Sequence, residues 1–133
     1  MPKVIFDTDV LIWYFRGNQD ARDLLEKIPY RDRGVSSLCV MELIQGCLNK
    51  KELKIVKEFI KENFSVVIHP DERISEKAIV LLEKHSLTDG LRTVDALIAA
   101  SALLRGTSLA TSNDKHFRNI SNLYILKFEG SRA

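Results

Sequence analysis

Short apolar runs recur along this chain, and the segments between them carry helical periodicity. After Lys3, VIF (residues 4–6) is a continuous run of β-branched and aromatic residues, as expected of a strand covered on both faces. RGVSS (33–37), SVVIHP (65–70), SLAT (108–111) and LYILKF (123–128) are further strand candidates. DVLIWYFR (9–16) reads as a helix, NQDARDLLEKI (18–28) as a second capped by Asn18, and LCVMELIQGCL (38–48) as a mostly apolar third, preceded by cap-forming serines. KKELKIVKEFIKE (50–62) is amphipathic, with Leu53, Val56 and Ile60 on one face and Lys50, Lys54, Lys57 and Lys61 on another. Residues 72–87 predict an amphipathic helix, and 93–105 a small-residue helix stopped by Gly106. Strands alternating with helices predict an α/β fold, a parallel sheet flanked by helices on both faces. No repeat or low-complexity segment interrupts it, so residues 1–133 read as a single domain.

Composition narrows the function classes. At 133 residues and 45% hydrophobic, the chain can bury a real core but has no room for a second domain. Its formal charge of +2 argues against gripping a polyanion by bulk attraction, so any nucleic acid must be met locally. Cys39 and Cys47 fall in one predicted helix, roughly 12 Å apart at about 1.5 Å per residue, which is too far for a disulfide. No run approaches the ~20 apolar residues of a membrane span, and the N-terminus lacks the pattern of a signal peptide. A cytoplasmic protein is expected.

The stretch VIFDTDVLI (4–12) raises the question of function, because Asp7 and Asp9 stand directly between two apolar runs. Three roles compete for them: capping a helix, phosphoryl transfer through an Asp nucleophile, or one corner of a metal-binding acidic cluster. In an open parallel sheet, sites form at the carboxyl ends of strands near a topological switch point. Asp7 follows the first strand candidate, and Asp114 follows SLAT by three residues. Glu42 interrupts an almost wholly apolar helix, where burying it alone would be costly, and Gln45 and Gly46 share its face as a narrow polar window. Asp95 is the only acid in TVDALIAASALL, with Ala99 and Ala102 on its side leaving room for a cleft. Each acid also has an ordinary role: Asp7 or Asp9 as a cap, Asp95 as a first-turn residue beside Thr93, and Asp114 as loop chemistry. Glu42 is the hardest to explain in that way. Carboxylates that converge resist joint ionisation unless a cation neutralises them, and all-oxygen ligands select Mg²⁺ or Mn²⁺. His69, His85 and His116 show no zinc spacing and read as surface or packing residues.

Taken together, FDTDVLI, SSLCVMELIQG, TVDALIAASAL and LATSNDKHF, in this order and spacing over nearly the whole chain, resemble the PIN-domain ribonucleases and, within them, the small VapC-type toxins of prokaryotic toxin–antitoxin pairs. The resemblance implies a PIN-like nuclease domain and metal-dependent hydrolysis of RNA phosphodiester bonds with Mg²⁺ or Mn²⁺. It also implies that Asp7, Glu42 and Asp95 are the acidic ligands. Asp114 is expected to complete the set, with Asn113 beside it as the alternative. Thr8, Asp9, Thr111 and Asn113 are the polar residues that would support these acids. A homodimer and restraint by a small VapB-type antitoxin follow from the same resemblance. The rival reading of DTDVL is a haloacid-dehalogenase-like phosphatase with Asp7 as nucleophile, but Leu11 stands where that motif expects Thr or Val, and no Gly-Asp pair supplies the late metal ligands. A receiver-type domain leaves Glu42 and Asp95 unexplained. A free-standing PIN-domain RNA-processing nuclease and a non-catalytic PIN-like binding module remain as alternatives.

Local cations for an RNA substrate are expected at Arg16, Lys115 and Arg118, beside the first and last motifs. The lysine stripe from Lys50 to Lys61 reads as the solvated side of its helix. Helices 38–48 and 53–60 are more apolar than one small sheet needs, and Trp13, Tyr14 and Phe15 cannot all face inward, so apolar surface is expected to remain exposed as a partner site. An apolar antitoxin segment laid into a groove there could send a basic side chain to Asp7, Glu42 and Asp95.

Overall fold

The computed structural model describes residues 2–128; residue 1 and residues 129–133 of the expected unit lie outside the described residues. Five parallel strands, β1 (Val4–Phe6), β2 (Arg33–Ser36), β3 (Val66–Ile68), β4 (Ser108–Thr111) and β5 (Ile125–Lys127), form one sheet in the order β3-β2-β1-β4-β5. The intervening helices are α1 (Thr8–Phe15), α2 (Gln19–Lys27), α3 (Ser37–Gln45), α4 (Lys50–Asn63), α5 (Glu72–Asp89) and α6 (Thr93–Arg105). Right-handed crossovers put α1 to α4 on one face of such a sheet and α5 and α6 on the other. The α/β class, the parallel sheet and the helices on both faces are those expected from the sequence.

Local chemistry explains the boundaries. Residues Val4–Phe6 are buried along their whole length, which suits a central strand covered on both sides. Asn18 accepts from the Ala21 amide at 3.0 Å and starts α2, while Ser36 accepts from Leu38 at 3.2 Å and starts α3. Asp71 caps α5 through Ile74 at 2.9 Å. Gly90 and Gly106, with φ of +71° and +65°, end α5 and α6 in the left-handed conformation that favours glycine. Asp7 is itself a helix cap, accepting from the Thr8 amide at 2.8 Å. The ordinary reading of Asp7 is therefore realised, without excluding the functional one.

Two expectations need correction. Ala99 and Ala102 do not open a cleft beside Asp95, because both are fully buried and let α6 lie close to its neighbours. The apolar helix near residue 40 ends at Gln45, so Cys47 lies beyond it; both cysteines are free thiols, Cys39 buried and Cys47 half-buried. Among the described residues, no helix is long and apolar enough to cross a membrane.

The core continues under the chain that follows β4. A single 3₁₀ turn, Asp114–His116, runs directly into Phe117, whose side chain is completely buried. Phe117→Ala should therefore lower the unfolding free energy by about 3–5 kcal/mol, seen as a lower urea midpoint with an unchanged m-value. A loss below about 1 kcal/mol would mean that this ring is not part of the core.

Candidate active site

Strand order reverses at β1, since the chain builds outward through β2 and β3 and then returns to place β4 on the other side. A crevice opens at the carboxyl ends of β1 and β4, where such sheets form their sites. Asp7 follows β1 and Thr111 ends β4. The Thr111 hydroxyl lies 2.9 Å from Asp7 Oδ2 and 3.3 Å from Asp9 Oδ2, and its one hydrogen serves one of them at a time. Asp9 Oδ2 also accepts from the Ser112 amide at 3.0 Å and the Ser112 hydroxyl at 2.6 Å. Its other oxygen, Oδ1, is buried with no hydrogen-bond partner among the described residues. Glu42, from α3, accepts from the Thr8 hydroxyl at 2.6 Å. Asp95, in the first turn of α6, lies 3.0 Å from His116 Nδ1. A cavity of about 810 Å³ is lined by Asp7, Asp9, Glu42, Asp95, Arg92 and Asn113, with Thr8 on its wall.

The carboxylates oppose one another's charge. Burial, then the neighbouring Asp9, push Asp7 up to about 7, partly offset by hydrogen bonds from Thr111 and Thr8; Asp95 adds a smaller upward push. The crevice thus holds a carboxyl group that resists ionising until a positive charge arrives.

Glu42 reaches this cavity for a reason other than the one its sequence context suggests. It is exposed, on a helix face where Met41 and Ile44 are exposed too, so the apolar surroundings in sequence reflect an open surface and not a core. Asn113 lines the cavity, whereas Asp114 does not: the 3₁₀ turn that begins at Asp114 carries its carboxylate to Lys127 Nζ at 3.7 Å. Ser112, Arg92 and His116 belong to the site's wall or support without having been singled out in the sequence. Ser112 had one signal, a second hydroxyl next to Thr111 at the strand end. Arg92 and His116 had none until the turns carrying them were known.

The candidate RNA-binding cations are dispersed. Lys115 and Arg118 are exposed on the segment after β4. Arg16 stacks over the Trp13 ring at 5.3 Å and borders a second, more apolar groove of about 500 Å³, lined also by Ile12, Phe15, Leu43, Ile55 and Val56. That groove shares Ile12 and Glu42 with the acidic cavity, so the two are continuous. Lys50, Lys54, Lys57 and Lys61 are all exposed, as a solvated helix face should be.

The donor set fits a hard divalent cation by its chemistry: it is all oxygen, Asp9 offers a buried oxygen without a partner, and Asp7 is held in a state that added positive charge would relieve. Among the described residues, however, no three such side chains are already drawn together as a ready-made cage.

A pH dependence follows for the cation-free protein. An unfolded Asp7 ionises near 3.8, whereas the folded one keeps its proton to about 7. Folding is then favoured by this group below the lower value and loses that contribution as pH rises through the higher one, at about 1.4 kcal/mol per unit. Thermal unfolding in EDTA should show a melting temperature that falls between about pH 4 and pH 7, and Asp7→Asn should flatten that slope. An equal slope in the two proteins would show that Asp7 is not perturbed.

The model of the PIN domain family matches residues 4–123 of this chain. The chain is similar to the Ribonuclease VapC1 of Rickettsia felis, 27% identical over 129 residues, covering 92% of this chain and 94% of that protein. It is also similar to the Ribonuclease VapC1 of Methanocaldococcus jannaschii, 29% identical over 120 residues, covering 89% and 81% respectively. Among solved structures, a chain of a toxin-antitoxin complex from Klebsiella pneumoniae superposes with a TM-score of 0.80 at 27% identity, covering 93% of this chain and 96% of the other. With its five parallel strands, its acids gathered at the β1/β4 crevice and a family match along almost its full length, this chain belongs to the PIN domain family.

Proposed function

We propose that the chain is a divalent-cation-dependent endoribonuclease and the toxin of a VapBC-type toxin–antitoxin pair, acting on RNA in the cytoplasm. The observation that carries this reading is the gathering of Asp7, Asp9, Glu42 and Asp95 around one crevice, with a buried Asp9 oxygen left without a partner. Relatives named as VapC ribonucleases and a toxin-antitoxin structure of the same fold support it.

In this reading Asp7, Glu42 and Asp95 hold Mg²⁺ or Mn²⁺, with Asp9 joining them and Asn113 at the fourth position in place of Asp114. When bound, the cation supplies Lewis-acid activation of a water and neutralises charge on the phosphate and the leaving 3′ oxygen. The protein's part is placement. Thr111 and Thr8 each engage one oxygen of Asp7, Thr8 also aims Glu42, and Ser112 anchors Asp9, so carboxylates from the end of β1 and from α1, α3 and α6 would hold a cation, and through it a phosphate, in one orientation. Arg92, which lines the same cavity, offers a guanidinium to the RNA backbone, and Lys115 and Arg118 extend the grip along the rim. The phosphatase alternative fares worse, because Leu11 stands where its motif expects Thr or Val and the PIN domain family model matches residues 4–123.

The apolar groove beside the site suits the antitoxin. Phe15, Ile55 and, nearby, the 87% exposed Leu48 offer anchors for an apolar segment, and the shared Glu42 edge gives a basic side chain a path to the acids. A homodimer would cover the exposed Ile79 and Leu87, two turns apart along α5.

Asp7→Asn and Asp95→Asn should each reduce RNA cleavage roughly a hundredfold or more while leaving the circular dichroism spectrum intact, and EDTA should do the same to the unaltered protein. Full activity of Asp7→Asn, or in EDTA, would overturn the assignment. Charge reversal at Lys115 and Arg118 should weaken RNA binding and lower the magnitude of its salt slope by about one per lost contact; unchanged binding would remove them from the interface. Ile55→Asp should leave cleavage intact yet abolish neutralisation by a co-expressed VapB-type partner. Undiminished neutralisation would place the partner elsewhere.

A further inference from the structure

Among the described residues His116 is the one imidazole in contact with the acidic residues of the crevice, and its surroundings constrain what it can do. Its Nδ1 lies 3.0 Å from Asp95 Oδ2 and 3.3 Å from Asn113 Nδ2. An ionised Asp95 can only accept, so Nδ1 must carry the hydrogen. That N–H cannot also accept from the Asn113 amide. Asn113 Nδ2 is therefore packed against the ring nitrogen without a hydrogen bond to it, which leaves the carboxamide oxygen unengaged by His116. The N–H then holds one oxygen from α6, while the ring abuts Asn113 on its own segment after β4. The turn between α5 and α6 passes close to the ring: a Cβ on Gly90 would lie 3.8 Å from His116 Nε2. The segment after β4 is also tied to the C-terminal end of α5, through Asn119 Nδ2 donating to Asp89 Oδ1 at 2.7 Å.

We propose that His116 is a positioning residue of the nuclease site, whose Nδ1–H holds Asp95 Oδ2 while its ring packs against Asn113, a clamp that leaves the other oxygen of Asp95 and the carboxamide oxygen of Asn113 for the cation. This rests on the reading of Asp95 as a cation ligand. The 3₁₀ turn that directs Asp114 away toward Lys127 also brings His116 under Asn113, so the choice of Asn113 over Asp114 and the placing of the clamp have one cause. Partners that orient metal-binding side chains typically change metal affinity tenfold to a hundredfold when lost, without touching substrate themselves.

The test separates the ring from its N–H. His116→Asn retains an amide near the Nδ1 position but no ring, His116→Phe retains the ring but no donor, and His116→Gln moves the amide to the Nε2 position. Mn²⁺ affinity is measured without RNA, from the electron paramagnetic resonance signal of the free ion, and kcat and KM are measured at saturating Mn²⁺. The Phe and Gln variants should lose about tenfold to a hundredfold in Mn²⁺ affinity and lose kcat with KM for RNA little changed, while the Asn variant stays within a few-fold of the unaltered protein in both. Should the Phe variant fail to fold, the Asn and Gln pair decides the matter. Equal affinity in these two, or unaltered affinity in a folded Phe variant, overturns the clamp. Asp7→Asn serves as the separate control: if it binds Mn²⁺ as tightly as the unaltered protein, the cation site itself falls and the clamp with it, whereas loss in Asp7→Asn alone leaves the nuclease reading standing and removes only His116.

Discussion

The position of β1 between β2 and β4 governs everything at the site. Because the sheet grows in both directions from this strand, the connections leaving its two sides diverge, and a crevice is left at its carboxyl end. The Asp7 amide still donates to the Ala110 carbonyl at 2.9 Å, extending the pairing of β1 with β4 one residue past the strand. The carboxylate is therefore anchored to the most rigid part of the fold. From there Thr111 reaches it across β4, Thr8 links it to Glu42 on α3, and Asp9 ties the start of α1 to Ser112. A one-residue slip of β1 against β4 would break the bonds of Asp7 to Thr111 and of Asp9 to Ser112 together, since it would turn the side chains to the opposite face.

This arrangement sets stability against function. A buried carboxyl group beside two others is costly when all are ionised, and the fold tempers that cost with hydroxyl and amide donors without removing it. What remains is electrostatic demand at a defined place. The core opposite is built for rigidity: Phe59 packs against Tyr14, Phe15 and Phe64, and Phe64 against Phe6, so the helix that carries Asp9, the helix α4 and the strand that leads into Asp7 share one aromatic cluster. The carboxylates can thus be crowded without the scaffold yielding to their repulsion.

Much of the fold was legible because its signals are local. VIF has the burial of a central strand, Asn18 and Ser36 cap the helices they introduce, and Gly106 ends α6 where the small-residue run stops. Asp7, Glu42 and Asp95 could be gathered from their motifs, and they do border one cavity. What could not be read depends on three-dimensional placement. An acid among apolar residues looks buried in sequence, yet Glu42 is exposed because α3 turns that apolar face outward. Asn113 and Asp114 differ by one position, and only the 3₁₀ turn decides which faces the cavity. His116 looked like a surface or packing residue because its partner Asp95 is 21 positions away, and Arg92 offered no sequence signal because its importance comes from the turn that holds it at the rim.

The central claim is that these acids hold a divalent cation at the carboxyl end of β1. Anomalous diffraction from crystals grown in millimolar Mn²⁺ tests it most directly. The account predicts a peak within about 2.5 Å of a carboxylate oxygen of Asp7 and of at least one of Asp9, Glu42 and Asp95. A map with no peak in the crevice, or with Mn²⁺ bound only to surface carboxylates elsewhere, would contradict it.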